Sequence, residues 1–115
     1  MAAKSVIGLK EHVMILGKEG KKKVVARIDT GASKCSIDAD LAKSLALGPV
    51  LRQKTVKSAH GITTRGLILA RIKLAGRTFR VFFTLADRKH MKYPVLIGRN
   101  ILKRGFLIDP ERKLR

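Results

Sequence analysis

The sequence predicts a mostly β fold with one or two short helices, and three features carry that prediction. Ile68, Ala70, Ile72 and Leu74 occupy alternate positions of one segment, as in a strand with a single buried face. The segment Val95–Ile97 is short and fully apolar, which is typical of a strand buried on both faces. Turns that contain glycine separate the apolar segments from one another, so short strands are favoured over long helices.

Length and composition predict a single domain over residues 1–115. The hydrophobic content of 45% argues against disorder. No apolar run approaches the roughly 18 residues that a transmembrane helix needs, and the N-terminal residues lack the apolar segment of a signal peptide. The single cysteine, Cys35, excludes an internal disulfide and fits a reducing compartment. We therefore expect a cytoplasmic location and no membrane association.

The chain is strongly basic, with 26 Lys and Arg against 8 Asp and Glu, a net charge of +18 and a pI near 11.1. Such a charge attracts polyanions such as RNA, the ribosome or acidic peptides. Aromatic residues make up only 4% of the chain, which argues against stacking on single-stranded bases. A solvated basic surface without a binding role is the alternative.

The N-terminal half is predicted to form a hairpin followed by a helix. Residues 6–9 and 12–16 are short strand candidates, and a turn at residues 17–20 leads into the strand Val24–Ile28. Residues 38–47 favour a short helix, capped by Asp38 and ended by Gly48-Pro49.

The C-terminal half is predicted to form an antiparallel sheet that carries a projecting flap. Residues 55–59 lead into a polar tip, and strands at 67–74 and 78–85 surround a tight turn. The strand at 95–97, a short helix at 100–104 and a last strand at 106–108 follow. We expect three phenylalanines of this half to fill the core: Phe79, Phe82 and Phe83.

Asp29 is the residue that the predicted strands present most conspicuously. It follows the strand that ends at Ile28 and begins the stretch Asp29-Thr30-Gly31-Ala32. Asp and Gly are poor strand formers, so this stretch predicts a tight loop at the strand end. A second stretch, Ile97-Gly98-Arg99-Asn100, predicts a strand, a close backbone approach and then a helical turn.

Together, these two stretches resemble the retropepsin-like aspartic proteases. The similarity is closest to a prokaryotic branch labelled ATP-dependent zinc protease, which is linked to glutamate ligases that modify ribosomal proteins. The resemblance covers most of the chain, residues 13–109, and it implies a small closed β-barrel with short helices.

The resemblance also implies a role for each matching position. Asp29 is the expected catalytic carboxylate. Thr30 is expected to make a hydrogen bond across a dimer, and Gly31 and Ala32 are expected to leave space for substrate. The expected flap tip, which would cover the substrate, is His60, Gly61 and Ile62. Gly98 and Arg99 are expected to support the loop from behind.

The function that the resemblance implies is peptide hydrolysis by a homodimer. General acid–base hydrolysis needs one group to accept a proton and another to donate one. With one Asp-Thr-Gly per chain, we expect Asp29 of each subunit to form the pair. The expected substrate is a peptide or glutamyl amide bond in an acidic, glutamate-rich protein, with a ribosomal component or a glutamate ligase as a further partner. A non-catalytic module of the same fold that binds RNA or a ribosomal component is the alternative.

The chain departs from retroviral enzymes directly after the loop. Those enzymes carry acidic residues at the positions of Ser33 and Lys34, where they bind substrate backbone and pair with the arginine. Arg99 therefore needs another partner, and substrate binding must differ. We expect no metal and no cofactor, because the histidines and the cysteine are scattered and no nucleotide-binding loop is present.

Overall fold

A closed barrel forms the centre of the computed structural model, which describes residues 3–59 and 61–114. The elements along the chain are β1 (Ser5–Ile7), β2 (Lys10–Gly17), β3 (Gly20–Ile28), β4 (Cys35–Asp38), α1 (Ala39–Ser44), β5 (Arg52–Ser58), β6 (Gly61–Leu74), β7 (Arg77–Ala86), β8 (Val95–Ile97), α2 (Arg99–Leu102) and β9 (Phe106–Ile108). Six strands form the ring in the order β2-β3-β8-β4-β7-β6, and pairing of β2 with β6 closes it. The predicted mostly β, closed-barrel fold is confirmed.

The hairpin of β2 and β3 delivers the chain to the Asp29 loop. The two strands pair from Lys10↔Arg27 to Gly17↔Gly20, so the predicted turn at residues 17–20 is confirmed. Val13 and Ile15 of β2 are fully buried in the barrel. Burial of these alternate residues fixes the register, because a slip by one residue would expose both of them.

The hairpin of β6 and β7 supplies the opposite wall. Ile68, Ala70, Ile72 and Leu74 all lie in the core, as the alternation predicts. β6 begins at Gly61 rather than near residue 67, because β5 pairs with its first half from Arg52↔Leu67 to Ser58↔Gly61. The polar tip is thus the end of a two-stranded ribbon that extends from the barrel.

The segment around β4 and α1 differs from the prediction. β4 was not predicted, yet it is buried throughout and pairs in parallel with β7 and antiparallel with β8. The helix predicted at 38–47 is shorter, since Ala46 adopts a φ of 54° and ends the helical path before Gly48-Pro49. Asp38 caps α1 as predicted, by accepting a hydrogen bond from the Leu41 amide at 3.3 Å.

The terminal strands β1 and β9 pair in parallel with each other. Phe106 packs against Phe79 with ring centroids 5.6 Å apart, and the Arg77 guanidinium lies over both rings. Phe79 and Phe83 are buried as expected, but the prediction for Phe82 is wrong: 41% of it is exposed. Phe82 falls on the outer face of β7, because successive residues of a strand alternate between faces.

Among the described residues, no helix is long and apolar enough to cross a membrane. The predicted helix at 100–104 is α2, one residue earlier at its start and two at its end.

Candidate active site

The site begins where β3 and β8 end side by side. These strands pair in parallel through Ala26↔Val95 to Ile28↔Ile97. The Asp29 amide extends the ladder by one more hydrogen bond, to the Ile97 carbonyl at 2.9 Å. Asp29 and Gly98 therefore leave the barrel at the same edge, so that the two predicted stretches meet.

The Asp29 carboxylate organises its own loop. Its Oδ1 accepts a hydrogen bond from the Gly31 amide at 2.8 Å, which is an Asx turn. Its carbonyl accepts one from the Ala32 amide at 3.3 Å. Oδ2 has no hydrogen-bond partner among the residues that the structure describes. Asp29 is half-buried, while Thr30 and Gly31 are exposed. One carboxylate oxygen is thus fixed by the chain and the other is available.

Gly98 lies directly behind this loop. A Cβ at Gly98 would lie 2.6 Å from the carbonyl carbon and oxygen of Lys34 and 2.9 Å from the Ala32 carbonyl oxygen. These neighbours are main-chain atoms, which cannot move aside as a flexible side chain can. The position therefore requires glycine for lack of space.

The predicted support from Arg99 corresponds to two hydrogen bonds. Its main-chain amide donates to the Ala32 carbonyl at 2.8 Å, and its Nη1 donates to the Thr30 carbonyl at 2.9 Å. The partner that the sequence left open is therefore a main-chain carbonyl instead of a carboxylate.

Asn100 is a loop-fixing residue to which sequence analysis assigned no role. Its Oδ1 accepts hydrogen bonds from the amide and the thiol of Cys35, at 3.0 and 3.1 Å. Its Nδ2 donates to the Phe82 carbonyl at 2.9 Å. One side chain thus ties the start of β4 to β7. The sequence feature that could have indicated this role is its position at the end of the stretch Ile97-Gly98-Arg99-Asn100.

Cys35 is fully buried beneath the loop. Burial raises the pKa of its thiol to about 12, against smaller lowering contributions that include the Gly98 amide. The sulfur stays protonated at neutral pH, which makes it a poor nucleophile and a poor metal ligand. Cys35 is a packing residue of this site.

Of the three residues predicted to form the flap tip, Gly61 and Ile62 begin β6 of the β5–β6 ribbon. His60 lies outside the described residues. Gly61 and Ile62 are at the ribbon end, where Ile62 is 68% exposed. Closer to the barrel, residues 54–57 and Arg65 of the ribbon face the Asp29 loop across a cavity of about 360 Å³. The structure therefore brings the ribbon and the loop to one cavity through residues other than the predicted tip.

Two residues of this cavity, Ser36 and Arg88, were missed by sequence analysis. Both are buried despite being polar. Nothing in the sequence distinguishes them, since Arg88 is one of many cations and Ser36 lies in the strand that was not predicted.

No group of three or more His, Cys, Asp or Glu within the described ranges is placed to hold a metal ion. The group that can take part in catalysis here is the half-buried carboxylate of Asp29, whose Oδ2 is available. Acid–base hydrolysis of an amide needs a second proton-transfer group beside it.

Comparison with known proteins gives one family match. Residues 40–114 match the family model described as RimB-like, retropepsin-like aspartic endopeptidase RimB. The matched residues include Gly98 and Arg99 and begin after Asp29.

Curated relatives carry the name probable alpha-L-glutamate ligase. The protein of Parasynechococcus marenigrum (strain WH8102) is 29% identical over 136 aligned positions, which cover 96% of this chain and 29% of the relative. The protein of Shewanella halifaxensis (strain HAW-EB4) is 36% identical over 62 positions, which cover 53% of this chain and 14% of the relative. The chain thus spans less than a third of the length of these relatives.

Two solved structures share the fold. A protein of unknown function from Legionella pneumophila superposes with a TM-score of 0.67 at 22% identity, over 96% of both chains. EIAV protease complexed with the inhibitor HBY-793 superposes with a TM-score of 0.68 at 20% identity, over 83% of this chain and 85% of that chain.

Proposed function

The chain belongs to the RimB-like family of retropepsin-like aspartic endopeptidases, and from that premise we propose that it is an aspartic peptidase with Asp29 as its catalytic residue. The observation that carries the proposal is the position of Asp29, half-buried at the end of β3 with one carboxylate oxygen fixed and one available. Gly98, Arg99 and Asn100 hold the surrounding loop through main-chain contacts. Such rigidity suits a group that must meet a scissile bond at a set distance.

The reaction that we propose requires a second copy of the chain. A homodimer would place the two Asp29 carboxylates together, where their repulsion leaves one ionised and one protonated. The ionised carboxylate accepts a proton from water as the water oxygen bonds to the carbonyl carbon. The protonated one donates to the carbonyl oxygen. When the tetrahedral intermediate collapses, the C–N bond breaks, the carboxyl group that took the proton from water gives it to the leaving amine, and the other carboxylate takes back the proton from the hydroxyl that becomes the carbonyl oxygen.

An exposed apolar surface supports dimerisation near the site. Val6 and Leu107 are register partners on β1 and β9 and are 41% and 53% exposed. Leu9 is 54% exposed, and its carbonyl accepts the Ile28 amide at 2.9 Å. Leu9 therefore adjoins the strand that ends before Asp29, and burial of these three exposed side chains against a second copy would be favourable.

The substrate that we propose is an acidic protein segment rich in glutamate. The net charge of +18 favours encounter with an acidic chain. Similarity to proteins named probable alpha-L-glutamate ligase supports the same substrate class, because a ligase that adds glutamate makes the bonds such a peptidase would cut. A glutamate ligase and a ribosomal component are the partners that we propose on this basis.

The test is a cleavage assay on peptide libraries and on oligoglutamate-tailed peptides between about pH 4 and about pH 8, read by mass spectrometry. The wild-type protein and Asp29→Asn are compared. Asn keeps an oxygen that can accept from the Gly31 amide, so the variant should fold. We expect products from the wild-type protein alone. Equal product from both proteins, or none from a folded wild-type dimer, would overturn the proposal.

A second candidate function is polyanion binding on the outer face of the barrel. Exposed cations flank β2 on both sides there. Lys21 of β3 and Arg71 of β6 are both register partners of Leu16, and Lys23 of β3 and Lys73 of β6 are both register partners of Met14. This arrangement favours RNA or a ribosomal component as ligand. Binding of RNA that weakens steeply with salt and is unchanged in Asp29→Asn would support it. RNA binding that is absent at low salt would exclude it.

A further inference from the structure

The cavity beside the Asp29 loop has walls of a single charge. Ala32, Ser33 and Lys34 form the wall on the side of the loop. Five cationic residues line the cavity, and none of its described lining residues is acidic: Lys34, Lys54, Lys57, Arg65 and Arg88. A concave site with cations on several walls concentrates anions far more than a flat basic surface does.

Arg88 is the buried member of this set, only 9% exposed. Its Nε donates to the Tyr93 carbonyl at 3.0 Å, which fixes the guanidinium in place. Its two terminal nitrogens have no hydrogen-bond or ion-pair partner among the described residues. The nearby Asp38 carboxylate accepts main-chain amides instead, from Arg88 and Leu41 at 2.9 and 3.3 Å.

The charge of Arg88 is only partly compensated by nearby carboxylates. Burial lowers the pKa of its guanidinium, and repulsion from Arg27 and Arg65 lowers it further, against a raising effect of Asp38 and Asp29. An anion bound at the terminal nitrogens would relieve this repulsion. A planar carboxylate matches the fork of a guanidinium through two parallel hydrogen bonds.

Ser36 supplies a second unused donor in the same cavity. The residue is 6% exposed, and its Oγ is buried without a hydrogen-bond partner among the described residues. Buried hydroxyls are nearly always paired with protein or water, so an unpaired one in a residue that lines a cavity is a candidate ligand contact. Arg88 and Ser36 belong to different elements and converge on one space.

We propose that this cavity binds the side-chain carboxylate of a substrate residue next to the scissile bond, with Arg88 and Ser36 as the specificity-determining residues. The inference rests on the proposed peptidase function and assigns its preference for glutamate to a defined subsite. It also accounts for Ser33 and Lys34: cationic and neutral walls admit a carboxylate that acidic residues at these positions would repel.

The test measures binding on the Asp29→Asn background, so that cleavage does not interfere. The probes are a fluorescent oligoglutamate peptide, the same peptide with single glutamates replaced by glutamine, and a C-terminally amidated form. We expect one glutamine replacement to weaken binding about tenfold or more, the scale of a charge-assisted hydrogen bond. Amidation should change binding less than about twofold, because the proposal concerns a side-chain carboxylate.

Two variants locate the effect in the cavity. Arg88→Gln should reduce the glutamate-over-glutamine preference about tenfold or more, and Ser36→Ala about threefold, while Arg88→Lys should recover part of the loss. Lys43→Gln, which removes an exposed cation from α1, should leave the preference unchanged. If Arg88→Gln does not fold, Ser36→Ala decides, because it removes a hydroxyl that makes no hydrogen bond to any residue that the structure describes.

Equal binding of the glutamate and glutamine peptides would overturn the inference, as would a preference that both cavity variants retain. Loss of binding on amidation alone would assign the cavity to a chain-terminal carboxylate and would also overturn it. A glutamate preference that depends on Ser36 and Arg88, in a wild-type protein that cleaves nothing, would uphold the subsite while the peptidase function fails.

Discussion

The loop that carries Asp29 and the cavity beside it differ in whether their buried polar groups are hydrogen-bonded. Behind the loop, Asn100 satisfies the amide and thiol of Cys35 and the carbonyl of Phe82. In the cavity, the Ser36 hydroxyl and the terminal nitrogens of Arg88 have no partner among the described residues. Hydrogen-bonded buried groups hold a structure in place, whereas unpaired ones in the lining of a cavity are candidate ligand contacts. This contrast underlies the roles that we propose, with Asn100 as a positioning residue and Ser36 and Arg88 as binding residues.

Of the substitutions considered, Gly98→Ala should have the largest effect on the Asp29 loop. The added methyl would lie 2.6 Å from main-chain atoms of Lys34, so β8 and the loop must separate. We expect the free energy of unfolding to fall by about 2–4 kcal/mol, with loss of any cleavage. Urea unfolding measures the first effect. Ser33→Ala, a change of an exposed residue in the same loop, is the control for urea unfolding and should leave the free energy of unfolding unchanged. A neutral Gly98→Ala would show that the close contact does not hold the loop.

Asn100→Ala and Ser36→Ala test the two regions directly. The first removes an acceptor from Cys35 and a donor from Phe82, leaving main-chain groups unpaired, and should destabilise by about 2–3 kcal/mol. The second removes a hydroxyl that has no partner within the described part of the chain and should change the free energy of unfolding by less than about 0.5 kcal/mol in either direction. Denaturant midpoints of both variants give the contrast. Equal losses would remove the distinction between the two regions.

Arg99→Gln should have a smaller effect. Arg99 is exposed and contributes one side-chain hydrogen bond, to the Thr30 carbonyl at 2.9 Å. Loss of this bond should cost about 0.5–1.5 kcal/mol. Arg99→Lys keeps the charge without the planar fork and should show most of the same loss. Full stability in the lysine variant would assign the effect to charge. Thermal unfolding of the three proteins decides between these outcomes.

The smallest effect is expected at the exposed ion pair of Asp40 and Lys89, which are 2.8 Å apart. The hydrogen bond from Lys89 lowers the pKa of Asp40. A depressed carboxyl pKa adds stability above the unfolded-state pKa, and this is lost as pH falls through the folded-state pKa. Solvent screening makes the contribution slight. Asp40→Asn should leave the urea midpoint at neutral pH unchanged within error, and a clear shift would contradict this.

Local patterns predicted the framework of the site but not its neighbouring cavity. Three features could be predicted because each depends on only a few neighbouring residues. They are the alternating apolar residues that end at Leu74, the apolar strand Val95–Ile97 and the glycine of the second motif. Arg88 differs from most of the 26 basic residues only in being buried, and no local sequence pattern predicts that burial. β4 was missed for a related reason, since barrel closure buries all four of its residues, Ser36 and Asp38 included.

The proposed peptidase needs one Asp29 from each of two chains in a single site, and subunit mixing tests this most directly. Wild-type protein and Asp29→Asn are combined at constant total concentration, left to exchange, and assayed on the oligoglutamate substrate. Activity should follow the square of the wild-type fraction, so that an equal mixture retains about a quarter of the full rate. A linear dependence, with about half the rate in the equal mixture, would mean that each chain acts with its own carboxylate and would contradict the account.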